Sequence, residues 1–189
     1  MSSAVPKTAM LAERTVEQRV ARHFGLEGDA WMRHANQLSV WTRFSCLSLI
    51  AIAVWSRDWI GWYSMIPIVL ATVWMMVNPR VFGVPASTSN WASKSVFGER
   101  IWASRKAVEI PRPFQSRVPT LANAYSCVGL AFLTYGLVAL NVGFVVAGIV
   151  VVHGGKLWYL DRMVLLFDDM KQHHPDYARW EYESRGASS

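Results

Sequence analysis

The stretch Val118–Gly155, VPTLANAYSCVGLAFLTYGLVALNVGFVVAGIVVVHGG, contains no Asp, Glu, Lys or Arg. It is too long for a single membrane crossing, because about 20 apolar residues span the hydrocarbon core of a bilayer. It breaks where Asn141 and Gly143 separate two apolar halves. Since only helices and closed barrels satisfy their backbone groups in lipid, the halves are predicted to be two membrane helices joined by a tight turn, Leu121–Leu140 and Gly143–Leu160.

Two further apolar segments precede this stretch, Leu38–Ser56 and Trp59–Val77, and only Arg57 and Asp58 separate them. Each is close to the length of one crossing. Pro67 lies near the middle of the second segment, where a proline is predicted to kink the helix. The fold class that follows is all-α: an integral membrane four-helix bundle made of two transmembrane hairpins.

The composition agrees with a membrane protein, since 52% of the residues are hydrophobic and only 17% are charged. A net charge of +6 is compatible with nucleic-acid binding, but the basic residues flank the apolar segments instead of forming one dense run. Attraction to anionic lipid headgroups explains this pattern better, and no nucleic-acid partner is expected. Cys46 and Cys127 both fall inside predicted membrane helices and are interpreted as small packing residues.

The chain divides into a cytoplasmic N-terminal segment (1–36), a four-span membrane domain (37–166) and a cytoplasmic tail (167–189). The tail is predicted to be disordered from Pro175 onward. In the N-terminal segment an amphipathic helix is predicted from Thr15, because apolar residues recur there at helical spacing: Val16, Val20 and Phe24.

The membrane domain includes one long connection, 80–117, which is too polar to insert into lipid. Asn90 is suited to capping a helix that runs through Trp102 along the membrane surface. Four large side chains of this interfacial helix are predicted to face the membrane: Trp91, Phe97, Ile101 and Trp102.

Counts of Lys and Arg predict the orientation of the chain. Five precede the first predicted helix and seven lie in the long connection, whereas the first turn holds only Arg57 and the second turn holds none. By the positive-inside rule, both termini and the long connection are cytoplasmic. The predicted location is the cell inner (plasma) membrane, with several crossings.

Small residues recur along the second predicted hairpin. In lipid such residues allow helix backbones to approach closely, so the third and fourth helices are predicted to pack tightly as a unit. The residues concerned are Gly129, Gly136, Gly143, Ala147, Gly148, Gly154 and Gly155.

Polar groups from three segments collect at the predicted cytoplasmic face, where apolar helices would exclude water from below. A polar pocket is predicted there. Its candidate catalytic acids and bases are His34, Glu99 and Asp161. The residues predicted to bind the substrate, through an anionic group, are Asn36, Arg43, Arg100 and Arg162.

A divalent metal is a candidate cofactor for this pocket. Asp161 and Asp168 are seven residues apart and share one helical face, and carboxylates are suitable ligands. No His-Glu-x-x-His motif and no cysteine pair with metal spacing accompanies them. The cofactor is otherwise unknown.

The same charged residues also fit a purely structural interpretation, because charges at the ends of membrane helices anchor them in any membrane protein. Under that interpretation Arg43 pairs with Asp161, and Glu99 pairs with Arg162. These ion pairs would tie the long connection to the bundle.

His153 is an intramembrane polar residue near the middle of the fourth predicted helix. Ionisable side chains at that depth mark functional sites or hold helices together through hydrogen bonds. The expected partners are hydroxyl groups on the third helix, from Tyr125, Ser126 or Tyr135.

Three separated motifs lie between Trp31 and Asp169: His34-Ala35-Asn36-x-x-Ser39-x-Trp41-Thr42-Arg43; Asn90-Trp91-x-x-Lys94 with Gly98-Glu99-Arg100-x-Trp102; and Trp158-x-x-Asp161-Arg162-Met163. Together they resemble a family of uncharacterised small bacterial and archaeal four-helix membrane proteins. The chain departs from that family at Gln37-Leu38, where the family has Pro-Trp. The resemblance implies no activity, but its motif residues coincide with the predicted cytoplasmic cluster.

Four functions stay open from the sequence. The first is a membrane-embedded enzyme with its pocket at the cytoplasmic face. The alternatives are an accessory or assembly subunit of a membrane complex and a dimeric small transporter. The family resemblance adds a fourth, a membrane component of a natural-product (azoxy, N–N bond) pathway. The transporter has the least support, because no acidic residue lies within a predicted span. The expected partners are the lipid bilayer and either a second copy or another membrane protein.

Overall fold

The computed structural model describes residues 30–183, and the described chain is helical throughout, with no strand. The predicted amphipathic helix at Thr15 and the last six residues lie outside this range. The helices, in chain order, are α1 (Ala30–His34), α2 (Gln37–Trp55), α3 (Arg57–Ile60), α4 (Met65–Val81), α5 (Trp91–Ala103), α6 (Val118–Val138), α7 (Val142–His173) and α8 (Pro175–Ala178), with single 3₁₀ turns at Gly61–Ser64 and Arg112–Phe114.

Within the described residues, three helical runs are long and apolar enough to cross a membrane by length and composition: Gln37–Asn78, Arg112–Val138 and Val142–His173. The predicted all-α class is therefore confirmed for the described residues, and three of their helical runs are capable of spanning a membrane. The first two predicted spans fall together in the first of these runs.

The run Gln37–Asn78 folds back on itself. Gly61 has φ +54, which lies in the left-handed region that favours glycine, and it ends α3. At the opposite ends of the run, the Ser39 hydroxyl donates to Oδ1 of Asn78 over 2.8 Å. The second apolar helix therefore begins at Met65 rather than at Trp59 as predicted, and Pro67 lies in its first turn, where a missing N–H is tolerated, instead of near its middle.

Polar side chains hold α2 against α4 at this meeting point. Asn78 is fully buried, and besides accepting from Ser39 it donates from Nδ2 to the Thr42 hydroxyl over 2.8 Å. The Thr42 hydroxyl donates in turn to the backbone carbonyl of Leu38. Because a buried amide without partners costs free energy, this chain of bonds fixes the register of the two helices.

Helices α6 and α7 approach each other through glycine, as predicted from the small residues. A Cβ on Gly136 would lie 2.6 Å from the backbone nitrogen of Val145, and a Cβ on Gly129 would lie 2.7 Å from that of Val152. Gly148 lies equally close to the backbone of Leu133. Any side chain at these glycines would push the two backbones apart.

The connections Arg57–Ser64 and 139–141 lie together, at what is called here the turn end of the helices. Asn141 caps α7 by accepting from the backbone N–H of Phe144. Arg57 donates from Nη2 to the backbone carbonyl of Leu137, near the end of α6. Because the last carbonyls of a helix carry partial negative charge, this bond ties the first helix pair to the second.

Helix α5 packs backbone to backbone on α7. Gly98 faces Met163, and the rings of Phe97 and Phe167 lie 5.2 Å apart. The predicted helix and its Asn90 cap are confirmed, and the Asn90 side chain accepts from the N–H of Ser93. However, Phe97 and Ile101 are buried in the core, so the prediction that they face the membrane is wrong.

The tail is docked where disorder was predicted. Residues 175–183, called here the strap, cross the surface of α5 and the loop before it. Thr88 is fully buried, and its backbone N–H donates to the carbonyl of Tyr182 over 2.9 Å. The ring of Trp180 lies 5.7 Å from that of Phe97. Aromatic side chains in the tail therefore supply the apolar contact that a disordered segment lacks.

Candidate functional site at the loop end of the helices

The end of the molecule opposite the turn end, formed by α1, the start of α2, α5 and the adjoining part of α7, is called here the loop end. Four ionisable side chains from four helices come together there: His34, Arg43, Glu99 and Lys156. They are called the loop-end cluster below.

His34 and Arg43 form the best defined contact of the cluster. Nη1 of Arg43 lies 2.6 Å from Nδ1 of His34, and Nη2 donates to the backbone carbonyl of His34 over 3.1 Å. The guanidinium is further held by a bond from Nε to the carbonyl of Ser39. Trp31 closes the other side of the imidazole, edge to face at 5.9 Å.

The imidazole of His34 is neutral in this setting. Burial, and then the positive charges of Arg43 and Lys156, lower the pKa of His34 well below its ordinary value. The contact with Arg43 favours the same state, because a guanidinium only donates hydrogen bonds and a neutral imidazole keeps one nitrogen that can accept. A neutral imidazole has one accepting nitrogen, so His34 can act as a base at neutral pH once Arg43 releases that nitrogen.

Glu99 is paired with Lys156, a residue outside the set predicted to form the pocket. Nζ of Lys156 lies 2.7 Å from Oε1 of Glu99, and it also lies over the ring of Tyr159. The only signal for Lys156 was its position, since it is the first charged residue after the uncharged stretch. Glu99 also interacts electrostatically with Arg43, which links the two pairs into one cluster.

Neither of the two predicted ion pairs forms. Glu99 contacts Lys156 instead of Arg162, and Asp161 contacts its own neighbour Arg162, with Oδ2 and Nη2 separated by 3.3 Å. The contact between Gly98 and Met163 fixes how α5 lies along α7. In that position Glu99 lies beside Lys156, which is about two turns before Arg162 on α7. About half of the Asp161 side chain is exposed.

Asn36 has a structural role in this conformation. Its side-chain oxygen accepts from the N–H of Leu38 and caps α2, while Nδ2 donates to the carbonyl of Gly83 over 3.0 Å. Both ends of the amide are thus occupied. Asn36 fixes the start of α2 and the loop after α4, and thereby positions Arg43 two turns further along.

Arg100 points away from the loop-end cluster. Its guanidinium carbon lies 4.3 Å from the centre of the Trp180 ring in the strap, a cation–π contact. Of the four predicted substrate-binding residues, Arg43 alone has a contact within the cluster, whereas Asn36, Arg100 and Arg162 contact other groups.

Asp168 belongs to a second group of charges, called here the strap cluster, which lies under the strap. Lys94 bridges Asp168 and Glu181, with both Nζ–O distances 3.1 Å. Lys171 bridges the same two carboxylates and lies 2.7 Å from Asp168. Two cations and two anions therefore close a ring that joins α5, α7 and the strap.

The two predicted metal ligands do not share a site. Asp161 faces Arg162, and Asp168 is neutralised by two lysines, which makes it a poor ligand for a cation. Across residues 30–183, no three His, Cys, Asp or Glu side chains form a group that could hold a metal ion. The described residues thus do not fit a divalent metal, and no metal enters the function proposed below.

His153 joins α7 to α2 rather than to α6. Its Nε2 lies 2.9 Å from the backbone carbonyl of Phe44, and its Nδ1 lies 2.9 Å from the carbonyl of Ile149 one turn earlier. The expectation of a hydroxyl partner on the third helix is therefore wrong. Ser126 bonds to backbone carbonyls instead, and the Phe44 ring packs on the imidazole at 5.6 Å.

The sequence motifs converge on the loop end. The Ser93 hydroxyl donates to the carbonyl of Ala35 over 2.6 Å, and the rings of Trp41 and Trp91 stack at 5.9 Å. Gly98 of the second motif lies on Met163 of the third. Residues from all three motifs therefore pack together as one structural unit around the loop-end cluster.

The chemistry available in the loop-end cluster follows from its members. Two permanent cations, Arg43 and Lys156, face one carboxylate, Glu99, so the cluster with neutral His34 carries a net positive charge. Such a set binds an anionic group and offers a base beside it. Leu157 and Trp158, which follow Lys156 on α7, are exposed. An apolar surface therefore lies next to the cluster.

Comparison with known proteins identifies the family of the chain but assigns no activity to it. No curated protein and no protein of solved structure matches it. Residues 15–184 match one family model, described as a family of unknown function (DUF6653). Because that match covers most of the chain, the protein belongs to this family.

Proposed function

We propose that the protein crosses the cytoplasmic membrane four times, as two hairpins, with the loop end and both termini in the cytoplasm. The support is the fold-back of the run Gln37–Asn78, whose arms α2 and α4 are each about 25–30 Å long, close to the thickness of the hydrocarbon core. Large apolar side chains are exposed along α4, and aromatic ones at the turn end: Trp59, Trp62 and Tyr63.

Cysteine labelling tests this arrangement. In a Cys46→Ala, Cys127→Ser background, Trp62→Cys at the turn end should react with a membrane-impermeant maleimide on intact cells. Arg112→Cys, which is exposed at the loop end, should react only after permeabilisation. The opposite pattern, equal labelling of both, or no labelling of Trp62→Cys would overturn the proposed crossings.

Within this arrangement the proposed function is that of a membrane-embedded enzyme acting on an anionic amphiphile from the inner leaflet. The observation that carries the proposal is the half-buried, neutral His34 held beside Arg43 and within electrostatic reach of Lys156. Arg43 and Lys156 bind the anionic group, Arg43 thereby releases the imidazole of His34, and the freed ring nitrogen accepts a proton from the bound molecule. Glu99 holds Lys156 in place and balances part of the positive charge.

The amphiphilic character of the substrate is inferred from where Lys156 lies. Its side chain is 45% exposed, although the residues before it on α7 form an apolar run. A lysine at that level reaches the headgroup region of a bilayer. A ligand with its anionic group on Lys156 would therefore keep its apolar part in the lipid.

Binding of short-chain phosphatidylglycerol to the detergent-purified protein, followed by native mass spectrometry, tests the site. Arg43→Gln and Lys156→Gln should each weaken binding about tenfold, because each removes a charge-assisted hydrogen bond. Arg179→Gln is the matched control, since this arginine is 80% exposed and pairs only with the exposed Asp176. Equal binding by wild type and Arg43→Gln, or tight binding of phosphatidylcholine, would overturn the proposal.

A second candidate function is an accessory subunit that docks another membrane protein. The favouring observation is the exposed side of α4, which presents a continuous apolar surface: Ile66, Val69, Leu70, Val73 and Met76. Photo-crosslinking from a probe at Leu70 in native membranes separates the candidates. A defined protein adduct there supports the subunit, whereas adducts with lipid alone leave the enzyme as the better proposal.

A further inference from the structure

The strap lies on the loop end without being part of its core. None of residues 175–183 is buried, although the rings of Tyr177 and Trp180 pack on the core from outside. Segments with few buried contacts open locally at low free-energy cost. By contrast, several residues beneath the strap are completely covered, among them Thr88 and Phe97.

The bonds that hold the strap are mostly polar and made by side chains. Thr88 donates from its hydroxyl to the carbonyl of Trp180 and accepts from the N–H of Tyr182. The Tyr182 hydroxyl donates to the carbonyl of Pro85, and Ser89 donates to the carboxylate of Glu183. Contacts of this kind compete with water and with ions in solution.

The surface beneath the strap is basic. Lys94, Arg100 and Lys171 carry three positive charges there, against the single negative charge of Asp168. Glu181 places its carboxylate between the two lysines, and Trp180 covers the guanidinium of Arg100. The strap, which belongs to the same chain, therefore supplies the carboxylate and the aromatic ring that contact this basic surface.

We propose that the strap is a releasable latch, and that anionic lipid headgroups compete with it for the basic surface formed by Lys94, Arg100 and Lys171. Lipid is the occupant that the placement favours, because α5 packs along α7 at the loop end, which faces the inner leaflet in the proposed arrangement. The surface is distinct from the loop-end cluster, and its occupant need not react. Release of the strap also frees Arg100, the neighbour of Glu99.

The latch is tested by limited trypsin digestion of the full chain in nanodiscs. Arg179 lies inside the strap with an exposed side chain, so cleavage after Arg179, followed by mass spectrometry, reports opening of the strap. Cleavage after Lys106, which lies outside the strap, reports any general effect of the lipid on the protease. The comparison is between phosphatidylcholine discs and discs that contain phosphatidylglycerol.

Phosphatidylglycerol should raise the rate of cleavage after Arg179 by on the order of tenfold relative to cleavage after Lys106. The double variant Lys94→Gln, Arg100→Gln should lose this dependence on lipid. The double variant Trp180→Ala, Glu181→Gln should be cleaved rapidly in both lipids, which shows that the assay detects an open strap. Cleavage of the wild type that is independent of phosphatidylglycerol would overturn the latch, whatever the binding measurements at Arg43 show.

Discussion

Gly98 of α5 and Met163 of α7 lie backbone to backbone. A Cβ on Gly98 would lie 2.8 Å from the Cα of Met163 and closer still to its carbonyl group. This single approach sets the position of α5 on α7, and the neighbouring residues Glu99 and Arg100 take their places from it. It also joins two of the three sequence motifs.

Gly98→Ala should therefore destabilise the protein, by about 1–3 kcal/mol, because the added methyl group meets backbone that cannot rotate away. Thermal unfolding of the detergent-purified protein measures the effect. Gly83→Ala is the matched control, since a Cβ there would meet nothing within 4 Å. Equal melting temperatures for Gly98→Ala and the wild type would show that α5 is not seated on α7 in this way.

The seam between α6 and α7 gives a second prediction. Gly148→Ala should lower the free energy of unfolding by a similar amount, about 1–3 kcal/mol, because Gly148 touches the backbone of Leu133. Gly154→Ala on the same helix should be nearly neutral, because the added carbon would meet only Tyr125 at 3.7 Å, an ordinary contact. Equal losses in the two variants would contradict the packing of the seam.

Stability should depend on pH through His34. Because burial and the nearby cations lower the pKa of His34 in the folded state, the unfolded chain binds more protons as the pH falls below 6.5, the ordinary histidine value. The stabilising contribution is present above that pH and is lost below it, by at most about 1.4 kcal/mol per pH unit.

Chemical unfolding of wild type and His34→Gln between pH 7.5 and pH 5 measures this dependence. The wild type should lose stability more steeply than the variant, whose amide does not titrate. His173→Gln is the control, because His173 is a largely exposed histidine on α7. Parallel curves for the wild type and His34→Gln would contradict the neutral imidazole of the folded protein.

The helices themselves could be predicted from the sequence because their causes are local. Uncharged stretches of about 20 residues, the Asn90 cap and the small residues of the second pair each determine a feature from neighbouring positions alone. The break between the first two apolar segments was misplaced because Gly61 adopts φ +54 and ends α3. Arg57-Asp58 had been the more visible break in the sequence.

The partners of the charged residues could not be predicted in the same way. Which cation meets Glu99 depends on the register between α5 and α7, and one backbone contact at Gly98 determines that register. The docked tail was missed for a related reason. Trp180 and Glu181 stand in a polar stretch, and two of their partners, Phe97 and Lys94, lie more than seventy residues earlier in the chain, on α5.

The last prediction concerns the strap. Glu181 is its one acidic residue that contacts both Lys94 and Lys171. Burial alone would raise the pKa of Glu181, but hydrogen bonds from Lys171 and Lys94 outweigh it and lower the pKa below the ordinary value of 4.5. Docking of the strap should therefore gain stability from Glu181 above pH 4.5 and lose it as the pH falls through the folded-state pKa.

Hydrogen–deuterium exchange of the Thr88 and Tyr182 amides, which bond across the strap, measures this local opening. At pH 7 both amides should exchange about fivefold faster in Glu181→Gln than in the wild type, the scale of a partly exposed ion pair, and the difference should vanish in strong acid. Asp176→Asn should leave both amides unchanged, because its ion pair with Arg179 is solvent-exposed, and a difference between wild type and Glu181→Gln that persists in strong acid would contradict the electrostatic origin of the docking.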